Sequence, residues 1–248
     1  MALLNLFICE IYKLKRSLAL LMAFLCPLTV VLLQFIMAWE NGGEFIALKG
    51  WNLYWMGATT LWYNFMLPLY IALITCLICS IEHKNNGWRL MGSLPINIRL
   101  LFIVKCSVAS LFVILSSIIL FILTWISIFI LSIIGFQGTD MVNFSFLEHA
   151  LPAVITGLPI IVIGIIIGWN IKNMVAPLVV GVIMTMTAMS VSHSPKYWAF
   201  DPWTYPLIGA MVSDDQVKLT ALYLGLGVGL SLLVIASLLS TRSRVFET

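Results

Sequence analysis

Six stretches of this chain run for twenty or more residues without one Asp, Glu, Lys or Arg: 17–39, 50–81, 106–139, 149–171, 173–195 and 219–241. A helix needs about 20 apolar residues to cross roughly 30 Å of hydrocarbon, so each block is long enough. A water-soluble core shows one-faced or alternating apolar patterns instead of unbroken blocks. Soluble domains also carry about 25% charged residues, whereas this chain has 9%. The blocks therefore predict an all-α integral membrane protein, one domain over 1–248, with spans near 17–38, 58–81, 106–134, 149–169, 174–192 and 219–240. The third block suits one long tilted helix and is too short for two crossings and a turn.

The basic residues orient these spans. Lys13, Lys15, Arg16, Lys84, Arg89, Arg99, Lys105, Lys172, Arg242 and Arg244 fall on one side, and only Lys49, Lys196 and Lys218 on the other. Lys and Arg favour the cytoplasmic side, which predicts that both termini and the segment 82–105 are inside. The first apolar run is too long for a cleaved signal core, and no small-residue cleavage site follows it. Met1 to Arg16 reads as an amphipathic helix, with Leu3, Leu4, Phe7, Ile8, Ile11 and Leu14 at helical spacing and Glu10, Lys13 and Lys15 elsewhere. Such a helix is expected to lie in the inner interface, its cations near anionic lipid. The plainer alternative is that it extends the first span.

Several classes of function are weakened by what the chain lacks. None of the six expected spans contains an ionisable Asp, Glu, Lys or Arg, and such groups usually mark proton relays or ion paths. There is no H-E-x-x-H zinc site, no G-x-S-x-G nucleophile turn and no G-x-x-x-x-G-K-[ST] phosphate loop, the usual signatures of hydrolytic chemistry and nucleotide binding. No catalytic residue and no metal site is expected, and ATP-driven work would need another polypeptide. His83, His149 and His193 are too scattered to share a metal. Cys76 and Cys79 form a C-x-x-C inside a span, and all five cysteines are expected to be free thiols acting as small apolar residues. Gly164-x-x-x-Gly168 and Gly225-x-x-x-Gly229 permit close helix approach without saying which helix approaches. Pro27, Pro68, Pro159 and Pro177 fall within spans, where neighbouring helices can satisfy the freed carbonyls.

The most informative stretch is "IEHKNNGWRLMGSLPINIRLLFIVK", Ile81 to Lys105. Glu82 to Arg89 suffices for a short polar helix, with Trp88, Leu90 and Met91 as an apolar face. Gly92 and Ser93 end it, and Pro95 suits the first turn of a new helix. The bland reading is a charged loop that only sets topology. The Glu at the end of the second span, "LMGSLPINIRLLFIVK", the basic N-terminal "YKLKRS" and the inside termini together resemble the permease subunits of ABC-2 type transporters, over essentially the whole chain. Within that family, "EHKNNGWRLMGSLPI" and "KYWAFDPWTYP" (Lys196 to Pro206) look most like the lantibiotic-protection permeases of Gram-positive bacteria.

The resemblance implies six transmembrane helices, an N-terminal elbow helix over 1–16 and a cytoplasmic coupling helix within Glu82 to Leu94. That helix would seat in a groove of a cytoplasmic ABC ATPase, Trp88, Leu90 and Met91 making the apolar contacts and Lys84 and Arg89 the polar rim, with Glu82 at its start. Two ATPases, carrying the ATP and Mg, would pair with this permease and a second one, identical or related. The chain itself would bind no cofactor and hydrolyse nothing. The cargo implied is a cationic amphipathic peptide taken from the membrane of a bacterial cell, with lipid as surroundings and no nucleic acid involved.

The outer face suits such a cargo. Its acids, Glu40, Glu44, Asp140, Glu148, Asp201, Asp214 and Asp215, outnumber its three lysines by four, and an acidic surface attracts cations. Trp39, Trp51, Tyr54, Trp55, Trp62, Tyr197, Trp198, Trp203 and Tyr205 crowd the same side, where the ordinary expectation is an interfacial aromatic belt. Glu44, Trp198, Asp201 and Trp203 are the candidates to receive the peptide. Two alternatives remain open at this level: an ABC-2 exporter of a lipid, a drug or the cell's own peptide, and a non-transporting scaffold.

Overall fold

A computed structural model describes residues 2–15, 17–41, 46, 50–84, 97–136, 138, 146–194, 196–212 and 214–240. Regular structure among the described residues is helical throughout. The helices are α1 (Ala2–Leu14), α2 (Leu18–Glu40), α3 (Trp51–Lys84), α4 (Ile98–Ile134), α5 (Phe146–Asn170), α6 (Val175–Val191), α7 (Tyr205–Met211) and α8 (Asp215–Leu239). Of these, α2, α3, α4, α5 and α8 are long and apolar enough to cross a membrane, and α6 is a shorter apolar helix of 17 residues.

Local chemistry sets the helix ends. The Ser17 hydroxyl accepts the Ala19 N–H at 3.2 Å to start α2, Asn97 accepts the Arg99 N–H at 3.1 Å to start α4, and Asp214 accepts the Gln216 N–H at 3.0 Å to start α8. Each side-chain acceptor satisfies one of the N–H groups a helix start leaves open. At the far end of α4, Gly135 takes φ 109°, a conformation that only glycine adopts cheaply.

Two helices are longer than a membrane is thick. α3 has 34 residues and α4 has 37, which at about 1.5 Å per residue makes each roughly 50 Å or more in length. The expected second span starts at 58, but α3 begins at Trp51; the expected third starts at 106, but α4 begins at Ile98. The start of α3 still falls within its charge-free block, 50–81, whereas α4 begins eight residues before its block, at 106. α3 is continuous through a π-helical turn at Trp62–Met66, in which the Leu67 N–H reaches the Trp62 carbonyl. Pro68 follows directly and has no N–H to give, so one widened turn accommodates a break in the helix ladder.

α3 and α5 form the centre of the bundle. Of the most apolar window of each, 61% is buried, against 22% in α2 and in α8. α5 packs against α3, α4, α6, α7 and α8, and α2 lies along α4. Both glycine pairs are consumed inside the chain. A methyl group on Gly164 would stand 2.5 Å from the Thr75 hydroxyl, and one on Gly168 would stand 3.1 Å from the Cys79 Cβ, so that pair seats α5 on α3. One on Gly225 would stand 2.7 Å from the Thr156 Cα and 3.2 Å from the Ile155 carbonyl oxygen, so the glycine seats α8 directly on the α5 backbone. Large apolar side chains such as Ile36, Ile122, Phe129, Ile133 and Leu230 point outward, as lipid-facing positions should.

The stretch after α6 departs from a simple outer loop. α7 packs on α5 and α8, with Gly209 against Thr156 inside the apolar part of α5. The chain therefore folds back into the bundle before α8 begins.

Candidate functional site

One end of the bundle gathers α1, the end of α3, the start of α4, the α5–α6 turn and the end of α8. α1 docks along α4, burying Leu14 and packing Phe7 and Ile11 on the core. The sequence reading put Glu10 on the polar side of α1; instead Glu10 is 2% exposed, Glu82 3% and Lys105 0%. The outward stripe of α1 is apolar, with Leu4, Ile8 and Tyr12 exposed.

The reason is a ring of four charges. The Lys13 ammonium donates to Glu10 Oε1 at 2.6 Å and to Glu82 Oε1 at 2.9 Å. The Lys105 ammonium donates to Glu10 Oε2 at 2.8 Å and to Glu82 Oε1 at 3.3 Å. Positive and negative groups alternate, so each has two partners of opposite sign and the sum is zero. Burial alone would raise the Glu10 carboxyl above its ordinary value, but the Lys105 and Lys13 ammonium groups and their hydrogen bonds overcome this and hold it below. An ammonium with no water around it is tolerable only when paired and hydrogen-bonded; Lys105 meets both conditions.

The ring closes a particular span of sequence. Glu82 ends α3 and Lys105 lies two turns into α4, so together they pin both approaches to the segment between them. His83 Nε2–H donates to the Gly168 carbonyl at 2.9 Å and Cys76 Sγ–H to the Met174 carbonyl at 3.0 Å, tying α3 to the α5–α6 turn. Phe102 and Trp169 meet at 5.7 Å between ring centres, joining α4 to α5. A cavity of about 220 Å³ opens beside them, lined by Phe102, Trp169, Asn170, Ala236 and Ser240 among others.

Of the residues singled out for ATPase contact, Glu82 is buried in the ring, and Lys84 is exposed at the last turn of α3. Trp88, Arg89, Leu90 and Met91 lie outside the described residues, as does Glu44. Sequence reasoning missed Glu10 and Lys105. One signal was available: of the ten acids only Glu10, Glu82 and Glu247 fall on the strongly basic side, and a rare acid amid cations is a candidate ion-pair partner.

At the opposite end, "KYWAFDPWTYP" knits to itself. The Asp201 carboxylate accepts the Trp203 N–H at 2.9 Å, the Thr204 hydroxyl donates to the Trp198 carbonyl at 2.7 Å, and the Tyr205 hydroxyl donates to the Ala199 carbonyl at 2.6 Å. Trp198 and Asp201 are half-buried and Trp203 is buried. Burial raises the Asp201 carboxyl above its ordinary value, with the Trp203 N–H opposing. The aromatics that actually face outward here are Tyr197 at 67% exposed and Phe200 at 82%.

Of the remaining outer aromatics Trp39 is exposed, as a belt position would be, but the group on α3 is not. Trp51, Tyr54, Trp55 and Trp62 are all buried, Trp55 against Phe121 and Trp125 of α4, and the Tyr54 hydroxyl is hydrogen-bonded to that of Ser127. Spacings of three and four residues from Trp51 to Trp55 put them on one helix face, a core stripe. Between α2, the outer half of α3 and α6 lies an open groove of about 560 Å³, lined by Gln34, Met37, Met56, Thr60, Asn64 and Met189 among others.

Long apolar helices packed through glycine seams, with one charged end tied into a three-helix knot, define a multi-pass helical membrane protein. Residues 6–188 match the family model described as "ABC-2 family transporter protein". The chain belongs to that family, whose members are the membrane components of ABC transporters and work with a partner ATPase. No curated protein and no solved structure matches the chain.

Proposed function

We propose that this permease is one ABC-2 transmembrane domain of an exporter in a bacterial plasma membrane, with both termini cytoplasmic, that expels cationic amphipathic peptides of the lantibiotic kind. Two soluble ATPases holding ATP and Mg act from inside on residues 82–94, and a second permease, identical or related, completes the membrane part. Nucleotide-driven closure of the ATPases moves that segment and the helices joined to it. The carrying observation is the polarity of the chain: ten of thirteen basic residues fall on the side of the ring, and the other side is acidic and exposes Trp39, Tyr197 and Phe200. A cationic peptide in the outer leaflet is drawn to the second face. Phe200 and Tyr197 are exposed there to pack on its apolar side, and Asp201, with Glu44 and Trp198, supplies the polar and aromatic neighbourhood.

Two measurements test this reading. Deleting the protein should make cells hypersensitive to one kind of cationic lantibiotic and leave sensitivity to unrelated drugs unchanged; a change in lipid export instead would replace the cargo. Purified from membranes, the chain should bring down a nucleotide-hydrolysing subunit that is lost on Trp88→Asp. A complex that never contains one would make the protein a scaffold.

A further inference from the structure

We propose that Glu10, Lys13, Glu82 and Lys105 form a latch that keys the N-terminal helix to both ends of the ATPase-facing segment, so that α1 moves with that segment in the transport cycle. This rests on the exporter reading above. The geometry is specific to the task. Glu82 and Lys105 bracket residues 83–104 in sequence yet meet at 3.3 Å, which fixes the two flanks of the segment to each other. Glu10 and Lys13, one helical turn apart on α1, each bridge to that pair. Glu10, Glu82 and Lys105 are the only charged side chains buried among the described residues.

A purely structural joint would be made more cheaply from apolar side chains. Replacing a buried ion cluster with well-packed apolar groups is often neutral or stabilising, so the ring is poorly explained as glue. What charges supply and apolar contacts do not is geometry: an alternating ring is satisfied in one register and leaves buried charges unpaired in any other. An ATPase pushing on the segment therefore cannot shift Glu82 or Lys105 without either carrying α1 along or opening the ring. Lys13, one-third exposed, is the corner where water can enter. With Leu4, Ile8 and Tyr12 facing out, α1 then transmits the stroke along the membrane surface. The four residues are positioning residues, since none need touch ATP or cargo.

The test uses the full chain assembled with its ATPase in lipid nanodiscs. Spin labels at Tyr12→Cys on α1 and Lys172→Cys on the α5–α6 turn, in a Cys9→Ser background, report the distance between these exposed sites with and without trapped nucleotide. The wild-type ring should give a nucleotide-dependent shift in that distance. The neutral ring, stripped of its α1 charges alone (Glu10→Gln, Lys13→Met) so that Glu82 and Lys105 stay paired, should keep the ATPase bound, lose the shift and lower ATP turnover by about tenfold, the scale of a coupling energy within one charge network. Should the neutral ring fail to fold, the amide pair Glu10→Gln with Lys105→Gln carries the same expectation. An unchanged shift in either folded variant, or no shift in the wild type, overturns the latch alone. A wild-type chain that retains no ATPase overturns the exporter reading and the latch together.

Discussion

The two ends of this bundle are closed by opposite means. At the end bearing α1, every buried charge among the described residues is paired, in the ring of Glu10, Lys13, Glu82 and Lys105. At the other end the seal is aromatic: Trp51, Tyr54, Trp55, Trp62 and Trp203 are buried, and Trp51, Trp62 and Trp203 bury their indole N–H groups with no acceptor among the described residues. The first kind of seal depends on the pairing of charges, whereas the second is held by buried area and shape. In the exporter proposed above, the ring would stand where force enters and the aromatic packing where cargo leaves.

The comparison can be broken most forcefully at Lys105. Lys105→Ala leaves two buried carboxylates to share Lys13 alone and should destabilise the protein by about 4 kcal/mol, read as a fall in unfolding midpoint in detergent; a loss under about 1 kcal/mol would mean water already reaches the ring. At the aromatic end, Trp55→Ala removes a side chain that packs against Phe121 and Trp125 and should cost about 3 kcal/mol. The neighbouring rings should partly collapse into the space, so the unfolding transition there should broaden without the ring end losing protection from hydrogen exchange. Tyr54→Phe deletes one buried hydrogen bond to Ser127 and should cost about 1 kcal/mol, which a parallel Ser127→Ala variant should match.

The smallest effect is in pH, and the two ends should respond with opposite sign. Glu10 is held below its ordinary value in the folded protein, so its contribution is complete above the ordinary carboxylate range and is lost as pH falls through its lowered value. Asp201 is raised by burial, so its contribution is present in acid and is lost as pH rises through that raised value. Hydrogen exchange should thus show α1 loosening in acid while the Trp198–Trp203 turn tightens. If both ends loosen together, global unfolding is being measured and the two seals are not independent.

Much of this architecture was legible before any coordinates. The charge-free blocks fall on the observed helices, and α1, the end of α3, the start of α4 and the α5–α6 turn, all assigned to the basic side, meet at one end. The glycine pairs were visible as seams, but not their partners; only packing shows that Thr75, Cys79 and Thr156 receive them. The aromatic end was misjudged because Trp51 to Trp62 was read by composition as an interfacial belt. Its three-and-four spacing marks a helix face against α4. Lys105 was counted only among the basic residues of one side, because position in a sequence says nothing of a partner 95 residues away.

The amino-acid order alone determined that this is a multi-pass membrane protein, because desolvating charge is so costly that hydropathy dictates where lipid can sit. Only the tertiary structure decided which charges escape that rule. Glu10, Glu82 and Lys105 are buried because three helix ends converge and each charge finds its opposite within 3.3 Å, a fact of distance that no linear pattern contains.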